Sequence, residues 1–254
     1  MLKLMKYEFI HSMRSFFISF CVFWGACILL PFFSEGLIPD IPVLTFFVAF
    51  GFTVLVMGIT IALFVSIFSN YYQSMFKRPG YLTLTLPVSS TKLIISKLIV
   101  SFLWLVIGGI VLLFGVLLTG IVSAFLQNNL SVIELLQGIP YVFKSFLKAI
   151  SYDIPGFLYN LILLIVQVYF LIISIYFSLT IAHTKLCRHH RLLVGICIWI
   201  VLEVLVSWLQ MGLAVIGITS DGSGIIIFNL ITVFIGLALT MLTIYMIDHQ
   251  IEIE

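Results

Sequence analysis

Glu203 stands deep inside an apolar run, LLVGICIWIVLEVLVSWLQMGLAV, residues 192–215. A charged carboxylate at the centre of a bilayer costs about 3 kcal/mol on insertion scales, so such a group must face protein or water rather than lipid. Ser207 lies one helical turn further on and Gln210 about two, on the same face. In the preceding apolar run Gln167, Ser174 and Ser178 also share a face, with Leu171 between them. Two polar stripes in neighbouring helices can line a translocation path, form a subunit interface, or simply hold a helical bundle together by hydrogen bonds. The segment HTKLCRHHR, 183–191, offers metal-ligating residue types. Adjacent His189 and His190 do not converge easily on one ion, so the segment reads as a basic turn. The cysteines Cys21, Cys27, Cys187 and Cys197 have no metal-site spacing and read as small buried hydrophobes. Catalytic patterns are missing from the apolar runs: there is no H-E-x-x-H helix and no closely spaced carboxylate pair in them, and no G-x-x-x-x-G-K-[ST] phosphate loop anywhere in the sequence. The chain therefore has no ATP site and no resident metal of its own by this reading.

The elements that position these residues are membrane helices. Of the 254 residues 63% are hydrophobic and only 9% are charged, against about a quarter charged in soluble domains. One soluble core cannot hide that much apolar surface. The formal net charge of +2 gives no footprint for nucleic acid. A spanning helix needs about 20 apolar residues. Six stretches meet this: 16–33, 43–69, 98–126, 155–183, 192–217 and 225–247. The first reads as a retained helix, because Trp24 fits poorly before Gly25-Ala26-Cys27 if that were a lipoprotein cleavage site. Gly108-Gly109 marks a packing or flex point in the third. Six spans place both ends on one side, together with residues 70–97 and 184–191. That side collects ten of the twelve lysines and arginines and leaves only Lys144 and Lys148 on the other, which puts both termini in the cytoplasm.

Outside the spans, Leu2, Met5, Phe9 and Met13 recur at helical spacing among Lys3, Lys6 and Arg14. This predicts an amphipathic interfacial helix over 2–14. The outer segment 127–154 carries a capping box at Ser131 and Glu134, then an apolar face of Phe143, Leu147 and Ile150, and predicts two short interfacial helices. The fold expected is all-α: a polytopic membrane protein of six transmembrane helices with one N-terminal interfacial helix.

One polar stretch interrupts this plan: KRPGYLTLTLPVSSTKLIISK, 77–97. Residues 69–75 can extend the second span as a helix, which Pro79-Gly80 then ends. Leu82, Leu84 and Leu86 alternate with Tyr81, Thr83 and Thr85, on period alone a short strand. Pro87 breaks it, and Ser89 or Ser90 can cap the next helix. Apolar residues offered to water in such a knob suggest a docking surface.

The stretch GYLTLTLPVSSTKLIISKLIVSFLW, 80–104, resembles the segment between spans two and three of ABC-2 type transporter permeases, the membrane subunits of bacterial ATP-binding-cassette exporters. KYEFIHSMRSFF, 6–17, is similar to their amphipathic entry helix. The resemblance implies six helices per subunit, a second permease subunit (a homodimer or a heterodimer), and a cytoplasmic coupling element seated on a separate ABC ATPase subunit. Carried over by position, the docking residues are Gly80, Tyr81, Leu82, Leu84, Leu86 and Pro87. Arg78-Pro79 precede the glycine, where family members often carry an acidic residue. ATP and Mg would be bound by the partner. The cargo implied is amphiphilic: an antimicrobial peptide, a lipid-like molecule or a drug, moved across the bacterial cytoplasmic membrane. The competing reading is a multi-span scaffold, sensor or ion-coupled carrier without an ATPase, for which Glu203 would be the working residue.

Overall fold

A computed structural model of the chain describes residues 2–32, 42–76, 89–128, 140, 144, 147–148, 151–184, 190–215 and 223–249. These are almost entirely helical. Six long helices follow in order: α1 Leu2–Pro31, α2 Pro42–Phe76, α3 Ser90–Asn128, α4 Ile154–Ala182, α5 Arg191–Val215 and α6 Ser223–His249. Five contain stretches long and apolar enough to cross a membrane: Phe50–Phe76, Ser90–Ser123, Ile154–Ala182, Arg191–Gly212 and Ile226–His249. The protein thus has the character of a multi-pass membrane protein. The apolar part of α1, Phe16–Pro31, is shorter. The first expected span, 16–33, therefore has a helix at its position, but among the described residues its apolar part is shorter than the other five.

The helix ends follow local chemistry. Pro42 opens α2, where its missing N–H is one that no helix would bond anyway. Ser89 precedes α3, and its carbonyl accepts from the backbone N–H of Lys92 at 2.9 Å and of Leu93 at 3.3 Å. Asp153 caps α4: Gly156 N–H donates to Asp153 Oδ1 at 3.0 Å. The last turn of α4 tightens, with Thr184 N–H reaching Ile181 O at 3.0 Å. His190 enters α5 from the left-handed region, φ 52°, and its carbonyl accepts from Val194 N–H at 3.1 Å.

One expectation needs correction, and one holds in its packing form. The interfacial helix over 2–14 is not a separate element, because α1 runs unbroken from Leu2 to Pro31. Neither Pro nor Gly occurs between residues 2 and 24 to break it. The Gly108-Gly109 pair does not interrupt α3 either. Gly108 is a packing point: a methyl group there would meet Leu63 Cδ1 at 2.7 Å, whereas Gly109 faces open space.

Packing divides the chain into two compact units. The first comprises Met1–Phe9, Ile67–Phe102 and Tyr159–Glu254. Its buried side chains include Tyr71, Met75, Phe76, Ile94, Ile172, Tyr176 and Leu179. Within it the helices alternate in direction. Glu8 of α1 and Ser74 of α2 meet Lys97 of α3. Tyr71 of α2 meets Thr180 of α4, and Ser90 at the start of α3 meets Asp248 at the end of α6. Gly195 of α5 lies against Ala182. The starts of α1, α3 and α5 thus lie with the ends of α2, α4 and α6. The second unit comprises Ile10–Ser66 and Leu103–Leu158. Its centre is Trp104, stacked on Phe16 at 4.5 Å, with the indole N–H donating to Ser12 Oγ at 2.8 Å.

Candidate functional site

The most concentrated buried chemistry lies in the first unit, around Lys97. Its side chain is only 3% exposed although it is an ammonium ion. Burying a charge is costly unless it is paired and hydrogen-bonded. Lys97 Nζ is ion-paired with Glu8 of α1 and donates to Ser74 Oγ of α2 at 2.7 Å. One amine therefore ties three helices together. A small cleft opens beside it, lined by Glu8, Asn70, Tyr71, Ser74, Lys97, Val100 and Tyr176.

Two tyrosines form the floor. Tyr71 and Tyr176 stack at 3.9 Å with their planes 10° apart, both essentially buried. Each hydroxyl is satisfied in a definite sense. Tyr176 Oη–H donates to the carbonyl of Lys97 at 3.2 Å, which leaves its oxygen to accept from Ser101 at 2.7 Å. Thr180 Oγ1–H donates to Tyr176 O at 2.7 Å, so Tyr71 Oη–H is the donor to Thr180 Oγ1 at 3.0 Å. The helices that flank residues 77–88 are thereby held in register with α4 by aromatic stacking and a hydroxyl chain. His183, fully buried, stacks on Phe76 at 4.0 Å at the very end of α2.

The residues singled out in the sequence fall into three groups. Gly80, Tyr81, Leu82, Leu84, Leu86 and Pro87 lie outside the described residues, as do residues 185–189, most of the outer segment and the tail from 250 onward. Glu203 and Ser174 come together: Ser174 Oγ–H is shared between Glu203 Oε1 at 2.8 Å and Leu171 O at 2.9 Å, and Trp199 Nε1–H donates to Ser174 Oγ at 3.2 Å. The rest disperse. Gln167 Nε2–H reaches Asn229 Oδ1 on α6 at 3.3 Å. Ser207 turns back to the carbonyl of Glu203 at 2.8 Å, and it and Gln210 lie on the exposed side of α5. The stripes of α4 and α5 thus share one hydrogen-bonded node rather than facing each other along their length. Among the described residues no group of three or more His, Cys, Asp or Glu could hold a metal ion.

Sequence reasoning missed the pair at Lys97. By sequence Lys97 counts only among the ten lysines and arginines of the cytoplasmic side. The signal was present: Lys97 sits within LIISKLIVSF, where apolar neighbours surround it, and Glu8 is the one acid in the basic opening. Ser74, Tyr71, Tyr176 and Ser101 carry no comparable signal, since hydroxyl residues are ordinary in apolar helices.

In comparisons with protein-family models, curated proteins and solved structures, the chain finds no match.

Proposed function

We propose that the chain is the permease subunit of an ABC exporter. In this reading six helices span a bacterial cytoplasmic membrane, both termini are cytoplasmic, and ATP is hydrolysed by a separate subunit. Residues 77–88 seat on that subunit through Gly80, Tyr81, Leu82, Leu84, Leu86 and Pro87. The permease works with a second permease subunit, and its cargo is amphiphilic. The reading is supported by the resemblance of residues 80–104 and by the convergence at Lys97. The observation that carries it is that convergence: the helices before and after 77–88 and the start of α1 are tied to one buried amine. A push on the segment is therefore passed to three helices at once rather than absorbed in a slack connector. The alternation of helix starts and ends in the first unit agrees with a serpentine of six crossings.

The test is copurification after crosslinking in the native membrane. A phosphate-loop ATPase is expected with the unaltered chain and is lost when Leu82 and Leu86 are both changed to Asp. An ion-coupled carrier is the second reading, favoured by Glu203 and its Ser174 partner. It predicts that Glu203→Gln abolishes transport driven by a proton gradient, whereas the exporter reading predicts transport that needs ATP and survives collapse of the gradient.

A further inference from the structure

Among the described residues no ion pair answers Glu203. It is half-buried near the middle of the apolar span Arg191–Gly212, and its side-chain partner is a neutral hydroxyl, Ser174 Oγ on α4, at 2.8 Å. The sequence explains the missing counter-charge: the stretches 16–33, 43–69, 98–126, 155–183, 192–217 and 225–247 contain neither lysine nor arginine. Along α5 the guanidinium of Arg191 starts twelve residues away, about 18 Å along the axis. Lys97 is already answered by Glu8 and Ser74. A second copy in the same orientation brings the same apolar stretches to the same depth, so it supplies no cation either. An acid so placed is costly unless polar protein, water or a positive charge meets it. Charge complementarity therefore favours a cation from outside the chain.

The surroundings suit an organic cation rather than a bare ion. Trp199 lies one turn before Glu203, and its indole N–H donates to the same Ser174 Oγ at 3.2 Å. One hydroxyl thus holds indole and carboxyl side by side. Ammonium groups are attracted by aromatic faces, tryptophan most of all, as well as by acids. A metal ion needs several convergent oxygens, and among the described residues no group of three or more His, Cys, Asp or Glu offers them. Access lies on one side of α5. Of the positions that border Glu203 on the helix surface, Trp199, Leu202 and Val206 are half-buried, whereas Ile200, Val204 and Ser207 are exposed. An alkyl chain lying along Ile200 and Val204 takes the place of a lipid tail, so the charged head is the part that selects.

We infer that Glu203 and Trp199 form a binding site for a membrane-dissolved organic ammonium: a cationic amphiphile whose head meets the carboxyl and the indole and whose tail lies along the exposed side of α5. That this amphiphile is the cargo rests on the exporter reading, while the site itself does not.

The test measures binding of radiolabelled dodecyltrimethylammonium, below its micellar concentration, to the full chain in phosphatidylcholine nanodiscs, against empty discs. Saturable binding is expected. Glu203→Gln keeps an oxygen for Ser174 but no charge, and is expected to weaken binding about thirtyfold. Glu203→Asp should recover part of that loss. Trp199→Phe leaves a poorer ring and should weaken binding about threefold. Trp208→Phe is expected to bind like the parent, because Trp208 is five positions on and turns about 140° away from Glu203. Dodecanol, of the same length but uncharged, is expected not to compete. Binding that does not saturate, that ignores Glu203→Gln or that dodecanol displaces overturns the site. Should Glu203→Gln be lost from the membrane, the two tryptophan variants carry the comparison, and equal effects of both overturn it. In the complex with a copurified ATPase, the ammonium is expected to stimulate ATP hydrolysis in the parent and not in Glu203→Gln. Glu203-dependent binding without that stimulation keeps the site and overturns its part in ATP-driven export. The same binding in a chain that copurifies no ATPase keeps the site and removes the exporter reading.

Discussion

Lys97 shows how one buried charge organises its surroundings. An ammonium ion that is 3% exposed must be answered by a carboxylate and further acceptors, and Glu8 and Ser74 supply them. Removing one member of such a pair leaves the other uncompensated. Lys97→Ala is expected to destabilise the folded protein by about 3 kcal/mol, the low end of the usual range because Glu8 can reach water. Denaturant titration of the detergent-solubilised protein would measure it, and a loss near zero would mean that the pair holds nothing. The double change Glu8→Leu with Lys97→Met removes both charges and should recover most of that loss. At the stacked tyrosines the two parts separate cleanly. Tyr71→Phe keeps the ring and loses one hydrogen bond, costing about 1 kcal/mol. Tyr71→Ala removes a fully buried ring and should cost about 3–5 kcal/mol. Similar losses for both would show that the hydroxyl, not the stack, does the holding.

At the scale of elements, close approach is set by particular glycines. In the second unit a methyl group at Gly115 of α3 would overlap the ring of Phe23 and sit 3.1 Å from Cys27 Sγ, both on α1. Gly109, on the same helix, has open space around its Cα. Gly115→Ala should therefore cost about 1–3 kcal/mol as α1 is pushed away. Gly109→Ala should be neutral or gain as much as about 1 kcal/mol from lower backbone entropy in the unfolded chain. Thermal unfolding of the two single variants decides this, and equal effects would contradict the assigned α1–α3 contact. The helices themselves were legible in the sequence. Apolar runs lie in all six, and Ser89 precedes α3 where capping chemistry predicts. Which glycine matters was not legible: Gly108, Gly109 and Gly115 look alike until a neighbouring helix is placed beside them. The continuity of α1 was also misread, because an amphipathic period was taken to imply a boundary that no residue enforces.

For the whole molecule, the candidate site was only half visible in advance. Glu203 and Ser174 announced themselves as polar groups in apolar runs, and they do meet. The tie between Glu8 and Lys97 spans 89 residues of sequence, and periodicity carries no information on contacts of that separation. Physical necessity did carry some: a lysine embedded in a helix of this hydropathy requires a partner, and few acids were on offer. The same logic extends to residues 77–88, whose flanks are fixed while their own function depends on what they touch. If the exporter account holds, tension applied there reaches α1, α2 and α3 through Lys97. Glu8→Ala is then expected to lower the coupling of transport to ATP hydrolysis by about tenfold while sparing hydrolysis itself. Parallel assays of ATP consumed and cargo moved in reconstituted vesicles would reveal the split, and an equal fall in both would contradict it.

The central claim is that residues 77–88 dock on an ATPase. The most direct measurement is to install a photocrosslinking side chain at Leu82, irradiate intact cells and identify what is captured. The account predicts a phosphate-loop ATPase, captured at Leu82 and not from a control position at Leu113 on the exposed, apolar middle of α3. Capture of lipid alone, or of the same proteins from both positions, would contradict it.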